Sequence, residues 1–200
     1  MSERVKIILD KNADILRLPA IALRGLVVFP GNIIHFEVGR KKSIAAIEWA
    51  MSNNNAVFLT AQQDMDVEDP GFKDLYAYGV VAEVKQVLRV SDELVKVLVE
   101  GKYRAKLLTL DSSGRFLLAS TKAAALRGTK SVDSARVEAL VRSVKEAFEE
   151  YLSLNPRLSK DVVYTIITNE DAALLCDYIP ANLLLKYTDK QALLNEEIGR

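Results

Sequence analysis

The chain has 200 residues, half of them apolar, with 27 basic and 27 acidic side chains. That length and apolar share are enough to bury a core in one large domain or two small ones, and they mark a globular chain. Balanced charge argues against a nucleic-acid interface, which needs an excess of Lys and Arg gathered on one face.

The start of the chain carries Glu3, Asp10 and Asp14 among its lysines and lacks the apolar run of a signal peptide. No stretch approaches the roughly 20 apolar residues that span a bilayer. Cys176 is the one cysteine, so no internal disulfide can form, and its neighbours Leu174, Leu175 and Ile179 suggest a small buried apolar residue. A cytoplasmic location is expected.

Strands are expected first at residues 15–18, 33–38 and 56–60, each set off by Gly, Pro or Asn. Between the first two, Leu26, Val27, Val28 and Phe29 stand beside Pro30-Gly31, where a turn is ordinarily polar. Two readings stay open here: a loop tucked onto the sheet, or an exposed apolar patch. Ser43 is placed to cap a helix whose stripe is Ile44, Ile47 and Met51, ended by Asn53-Asn54-Asn55. Trp49 and Tyr76 read as packing residues of helix and loop. Residues 64–71, with four acids and Pro70-Gly71, read as a solvated loop.

From 79 to 90 the even positions Val80, Ala82, Val84, Leu88 and Val90 are apolar, the pattern of a long strand with one covered face. After the turn at 91–93, a valine-rich strand over 94–100 and an alternating one over 103–110 are expected, separated near Gly101. Residues 111–114 turn the chain into a strand over 116–120. Together these segments form an antiparallel meander.

Near residue 128 the period changes from two to that of a helix. From Asp133 onward, Val137, Leu140, Val141, Val144, Phe148, Tyr151 and Leu152 lie on one face, and Asn155-Pro156 stops the helix. Ser159 is placed to cap a short helix, Asn169 another that runs to Pro180, and Thr188 with Gln191 has the form of a capping box for a last helix. The expected fold class is α+β: a β-rich unit over 1–127, then a small α-helical bundle over 128–200, truncated at its C-terminal end.

No catalytic constellation emerges. Gly101-Lys102 is followed by Tyr103 and preceded five residues earlier by Lys96, so it fails the phosphate-loop pattern, and Gly-x-Ser-x-Gly is missing. His35 is the one histidine; it sits in the run Ile33-Ile34-His35-Phe36 and reads as a strand residue with no identifiable partner. The densest basic cluster, Arg40-Lys41-Lys42, reads as a solvated helix entry.

Several strings in register carry a resemblance: Leu23-Arg24-Gly25-Leu26-Val27-Val28-Phe29-Pro30, Val38-Gly39-Arg40-Lys41-Lys42-Ser43, Asp69-Pro70-Gly71, and residues 95–101 followed by Arg104-Ala105. Their order and spacing resemble the amino-terminal domain of the Lon family of ATP-dependent proteases. The helical half is similar too, through Ile179-Pro180 and Thr188-Asp189-Lys190-Gln191. The chain departs from the family at His35, where proline is common, at Lys102-Tyr103, and at Asn182-Leu183-Leu184-Leu185.

The resemblance implies a PUA-like β-rich subdomain and a helical bundle placed before an AAA+ motor and a serine-lysine protease domain. It implies a substrate-recognition and assembly role within a homohexameric protease that degrades misfolded and short-lived regulatory proteins. This chain would hold no catalytic, metal or cofactor-binding residue and no cofactor, with ATP and magnesium bound by the parent protease. Its expected partners are unfolded or degron-bearing proteins and other Lon domains and subunits. Leu26, Val28 and Phe29 are the candidate substrate surface, and Arg40, Lys41 and Lys42 the candidate contact for other domains or subunits. Two alternatives stand beside this: a stand-alone ligand- or partner-binding module of the same fold, and a hydrolase built on His35.

Overall fold

The computed structural model describes residues 15–124, 134–155 and 158–196. They fall into two compact units, one holding 15–124 with 185–196, the other 134–155 with 158–184.

In the first unit, strands β1 (Leu16–Leu23), β2 (Ile33–Val38), β3 (Ala56–Ala61), β4 (Tyr78–Arg89), β5 (Val95–Asp111) and β6 (Leu117–Ala123) form one sheet in the order β2-β5-β4-β3-β1-β6. β6 also pairs with the far half of β5, so β5, β4, β3, β1 and β6 close on themselves, with β2 as an added strand on the first half of β5. Closure pairs both sides of these five strands over part of their length; among the described strands, the outer side of β2 and the far half of β4, beyond its pairing with β3, stay without a partner strand.

Two features differ from the expected meander. β1 and β3 run parallel, joined through β2 and helix α1 (Lys41–Met51), because parallel neighbours need a crossover connection. The two strands expected on either side of Gly101 are one strand, β5, with register shifts against β4 that let it bend from one set of neighbours to the next. Gly101 is required where it lies: a Cβ there would sit 2.2 Å from the Phe29 carbonyl oxygen.

Alternate strand residues feed two apolar clusters, as the period of two requires. Ile21, Leu23, Val57, Leu59, Val97 and Val99 join Ile44 and Ile47 of α1 in one, while Leu18, Ala20, Phe58, Tyr103 and Leu117 form the other. All six residues of β3 are buried, in keeping with the apolar run Ala56-Val57-Phe58-Leu59, and the hydroxyl of buried Thr60 donates to the Tyr76 carbonyl at 2.9 Å. α1 starts three residues earlier than Ser43 suggests, with Arg40 at the N-cap position in place of Ser43, which is buried inside the helix. Its end follows expectation: Asn55 takes a left-handed φ of 58° and donates its N–H to the Ala50 carbonyl.

In the second unit, α2 (Ser134–Leu154), α3 (Lys160–Thr168) and α4 (Ala172–Asn182) gather around Phe148, Ile166 and Leu175. Ser159 caps α3 as expected, accepting from the Val162 N–H at 3.3 Å. Asp171, and not Asn169, caps α4; the Asn169 side chain instead accepts from the Asp171 N–H. Cys176 is exposed, because Leu175 and Ile179 turn the packed face of α4 away from it. Asn155 follows α2 as expected, while Pro156, Asp133 and the 127/128 boundary lie outside the described residues.

The last helix, α5 (Tyr187–Asn195), belongs to the β-rich unit, which differs from its expected place in the helical half. Gln191 is fully buried and donates to the Tyr78 carbonyl at 2.9 Å, so it cannot serve the expected capping box; Lys186 holds the N-cap position. At the other end, the buried Arg104 guanidinium donates to the carbonyls of Leu193, Leu194 and Glu196, satisfying acceptors that a helix terminus leaves without partners.

Candidate functional site

Where β1 ends, beside β2 and the entry to α1, the chain leaves a cleft of about 300 Å³ lined by Leu23, Arg24, Leu26, Phe36, Val38 and Arg40, among others. A second cleft of about 400 Å³ adjoins it, sharing Arg24 and Arg40 and adding Lys41, Lys42, Glu68 and Asp69.

Arg40 organises the boundary between them. Its guanidinium donates to the Ala22 carbonyl at 3.2 Å, to the Gln62 side-chain oxygen, and to the Val67 carbonyl at 3.2 Å. Gln62 is fully buried and donates in turn to the carbonyls of Asp64 and Val67. The acidic loop is thereby pinned by its backbone while its carboxylates stay at the surface. Burial, then the neighbouring Arg24 charge, pulls the Arg40 pKa below its ordinary value, with Asp69 and Glu68 opposing. An arginine remains charged under such a shift.

The expected site residues separate. Val28 and Phe29 are 2% and 0% exposed, so the tucked-loop reading is correct and neither offers a surface to a partner. Gly31, at φ 74°, donates to the Gly101 carbonyl far along the chain, and that hydrogen bond turns the apolar run inward. Leu26 alone of the three reaches the cleft, partly buried against the core.

The basic cluster divides in the same way. Arg40 is committed to the fold, Lys42 pairs with Asp69 at 2.9 Å, and Lys41 is exposed with no ion-pair partner among the described residues. Residues the sequence reading missed are Arg24, Phe36 and Gln62. Only Gln62, a polar residue following the apolar run of β3, left a trace in the sequence.

His35 lies exposed on β2 opposite Leu98, and its side chain makes no hydrogen bond or ion pair among the described residues. A base without an orienting partner and a neighbouring nucleophile does not make a hydrolytic site. Among the described residues, no group of three or more His, Cys, Asp or Glu is placed to hold a metal ion. Likewise, no described helix is long and apolar enough to cross a membrane. Trp49 packs on Phe116 with ring centroids 5.7 Å apart, as its packing role requires.

The chain is thus a mixed α+β domain whose clefts offer apolar contact, guanidinium donors and a strand edge, which are the means of a binding domain. It belongs to the family of the ATP-dependent protease La (LON) substrate-binding domain, whose model matches residues 17–198. Similar sequences include the Lon protease of Desulforamulus reducens, 38% identical over 92% of this chain, and that of Escherichia coli K12, 36% identical over 92%. The chain spans about a fifth of these relatives, 22% and 23% of their length. The N-terminal domain of the Mycobacterium avium complex Lon protease shares the fold, with a TM-score of 0.69 at 19% identity, over 91% of each chain. The Xanthomonas campestris Lon N-terminal domain protein does so with a TM-score of 0.61 at 14% identity, over 90% of each.

Proposed function

We propose that this chain is the substrate-recognition and assembly domain of a Lon protease, binding misfolded and short-lived proteins for degradation by the motor and protease domains of the parent, in the cytoplasm. The observation that carries this reading is the match of the substrate-binding family model to nearly the whole chain, at about a fifth of the relatives' length. ATP and magnesium would then belong to the parent, and the chain's own contribution is affinity for polypeptide. Leu26 is retained as a substrate contact, since it reaches the surface of the first cleft.

Binding of the 200-residue chain to a reduced, carboxymethylated protein that cannot fold, compared with the native form of that protein, tests the reading. Micromolar affinity for the unfolded form alone is expected. Equal affinity for both forms, or none for either, would overturn it.

A further inference from the structure

Among the described strands, two stretches of edge lack a partner strand: the far half of β4 beyond its pairing with β3, and the whole outer side of β2, which alone borders a cleft. Pairing of β2 with β5 runs from Ile33 opposite Glu100 to Val38 opposite Val95. Next to it, Gly101 donates to the Asn32 carbonyl, which places Asn32 at a hydrogen-bonded position of the ladder. In an antiparallel pair these positions alternate, so Ile34, Phe36 and Val38 turn their backbone groups toward β5. Ile33, His35 and Glu37 turn theirs outward. All three residues are exposed, and no hydrogen bond to their backbone from outside the ladder occurs among the described residues. Such an edge is a template for another strand.

What lies beside this edge selects the occupant. Phe36, Glu37 and Val38 form one wall of the 300 Å³ cleft, facing Leu23 and Leu26, so a strand laid along β2 can place an alternate apolar side chain there. Past Val38 the chain meets Arg24 and Lys41. Arg24 donates only to the Val67 carbonyl, and neither cation has a carboxylate partner among the described residues. Four cations, Arg24, Arg40, Lys41 and Lys42, face two acids, Glu68 and Asp69, across the second cleft. That excess favours an acidic side chain at this end of the docked segment.

We propose that the open edge of β2 captures an extended polypeptide segment by strand addition, with an apolar residue in the Leu26–Phe36 cleft and an acidic residue near Arg24 and Lys41. This deepens the proposed function and rests on it: main-chain pairing accepts many sequences, as an unfolded substrate requires, while the cleft and the cations set a modest preference.

The probe is a short synthetic peptide alternating Val and Thr between Asp ends, titrated into the 200-residue chain and followed by backbone amide exchange. Binding is expected to slow exchange at Ile33, His35 and Glu37. Methylating alternate peptide nitrogens keeps every side chain but removes donors, and is expected to weaken binding at least about tenfold. His35→Pro removes one outward N–H without touching the β5 ladder, as edge positions allow, and is expected to weaken the peptide at unchanged melting temperature. Lys ends in place of Asp are expected to weaken it too.

If both methylated registers bind like the parent peptide, or if protection appears elsewhere, the strand-addition proposal is overturned. Continued binding of the carboxymethylated protein would in that case leave the substrate-reading function standing. If neither peptide nor carboxymethylated protein binds, both readings fall. Protection of the same amides that rises with protein concentration in the absence of peptide would make a second copy of the chain the occupant, and would overturn the proposal as well.

Discussion

Replacing Phe29 with Ala separates its two possible roles most sharply. The side chain is fully buried, and its carbonyl accepts from the Asn32 N–H at 3.2 Å while standing 2.2 Å from where a Cβ on Gly101 would be. Full burial means that the space left by the ring would be enclosed by protein and closed to solvent. Phe→Ala in such a core costs about 3–5 kcal/mol, from lost transfer energy and the cavity left behind. Against a total stability of about 5–15 kcal/mol this is a large fraction. With each kcal/mol moving the melting point of a chain this size by roughly 2–4 °C, a fall of roughly 6–20 °C is expected.

Thermal melting and urea unfolding read this directly, the urea midpoint falling at constant slope. Phe29→Leu, which keeps most of the volume, should retain much of the stability. Were Phe29→Ala to melt within about 2 °C of the parent while losing affinity for an unfolded protein, the ring would have to reach the surface, and the burial argument would be refuted.

Gly101→Ala drives a methyl into the Phe29 carbonyl and against Val80, at 2.2 and 3.3 Å, and should cost at least about 1–3 kcal/mol in urea unfolding; an unchanged midpoint would show that β5 yields there without strain. Arg104→Ala removes the donors to the Leu193, Leu194 and Glu196 carbonyls at the end of α5 and should cost about 2–3 kcal/mol, with limited proteolysis cutting first within 185–196; cleavage elsewhere would mean α5 is held by its side chains alone. Hydrogen bonds from Lys85 and Lys102 hold the Glu83 and Glu100 carboxyls below the ordinary 4.5, so their stabilisation is present above that pH and fades as pH falls through the lowered values. Lys102→Met should raise both carboxyl titrations, followed by 13C NMR, and two unmoved curves would show these exposed pairs are not held in solution.

Much of the fold was legible because periodicity is local. The alternation of β4 and the stripe of α2 name their elements without any knowledge of neighbours, and Ser159 caps α3 through a bond three residues long. Capping failed as a guide where distant groups competed for the same side chain: Gln191 is claimed by Tyr78, and Arg40 holds the start of α1 through Ala22, Gln62 and Val67. The candidate site was less legible for the same reason. Leu26, Val28 and Phe29 are equally apolar in sequence, and only their position relative to Gly31 and Gly101 decides that Phe29 is core and Leu26 lines a cleft.

Residue order and type alone therefore determined the family, the α+β class and most of the elements, since these rest on local pattern and on motifs in register. The tertiary structure decided the closure of the barrel, the parallel pairing of β1 with β3, the return of α5 to the β-rich unit and the open edge of β2 beside the cleft. Each of those depends on hydrogen bonds and packing between residues far apart in the chain, which no local window of sequence contains.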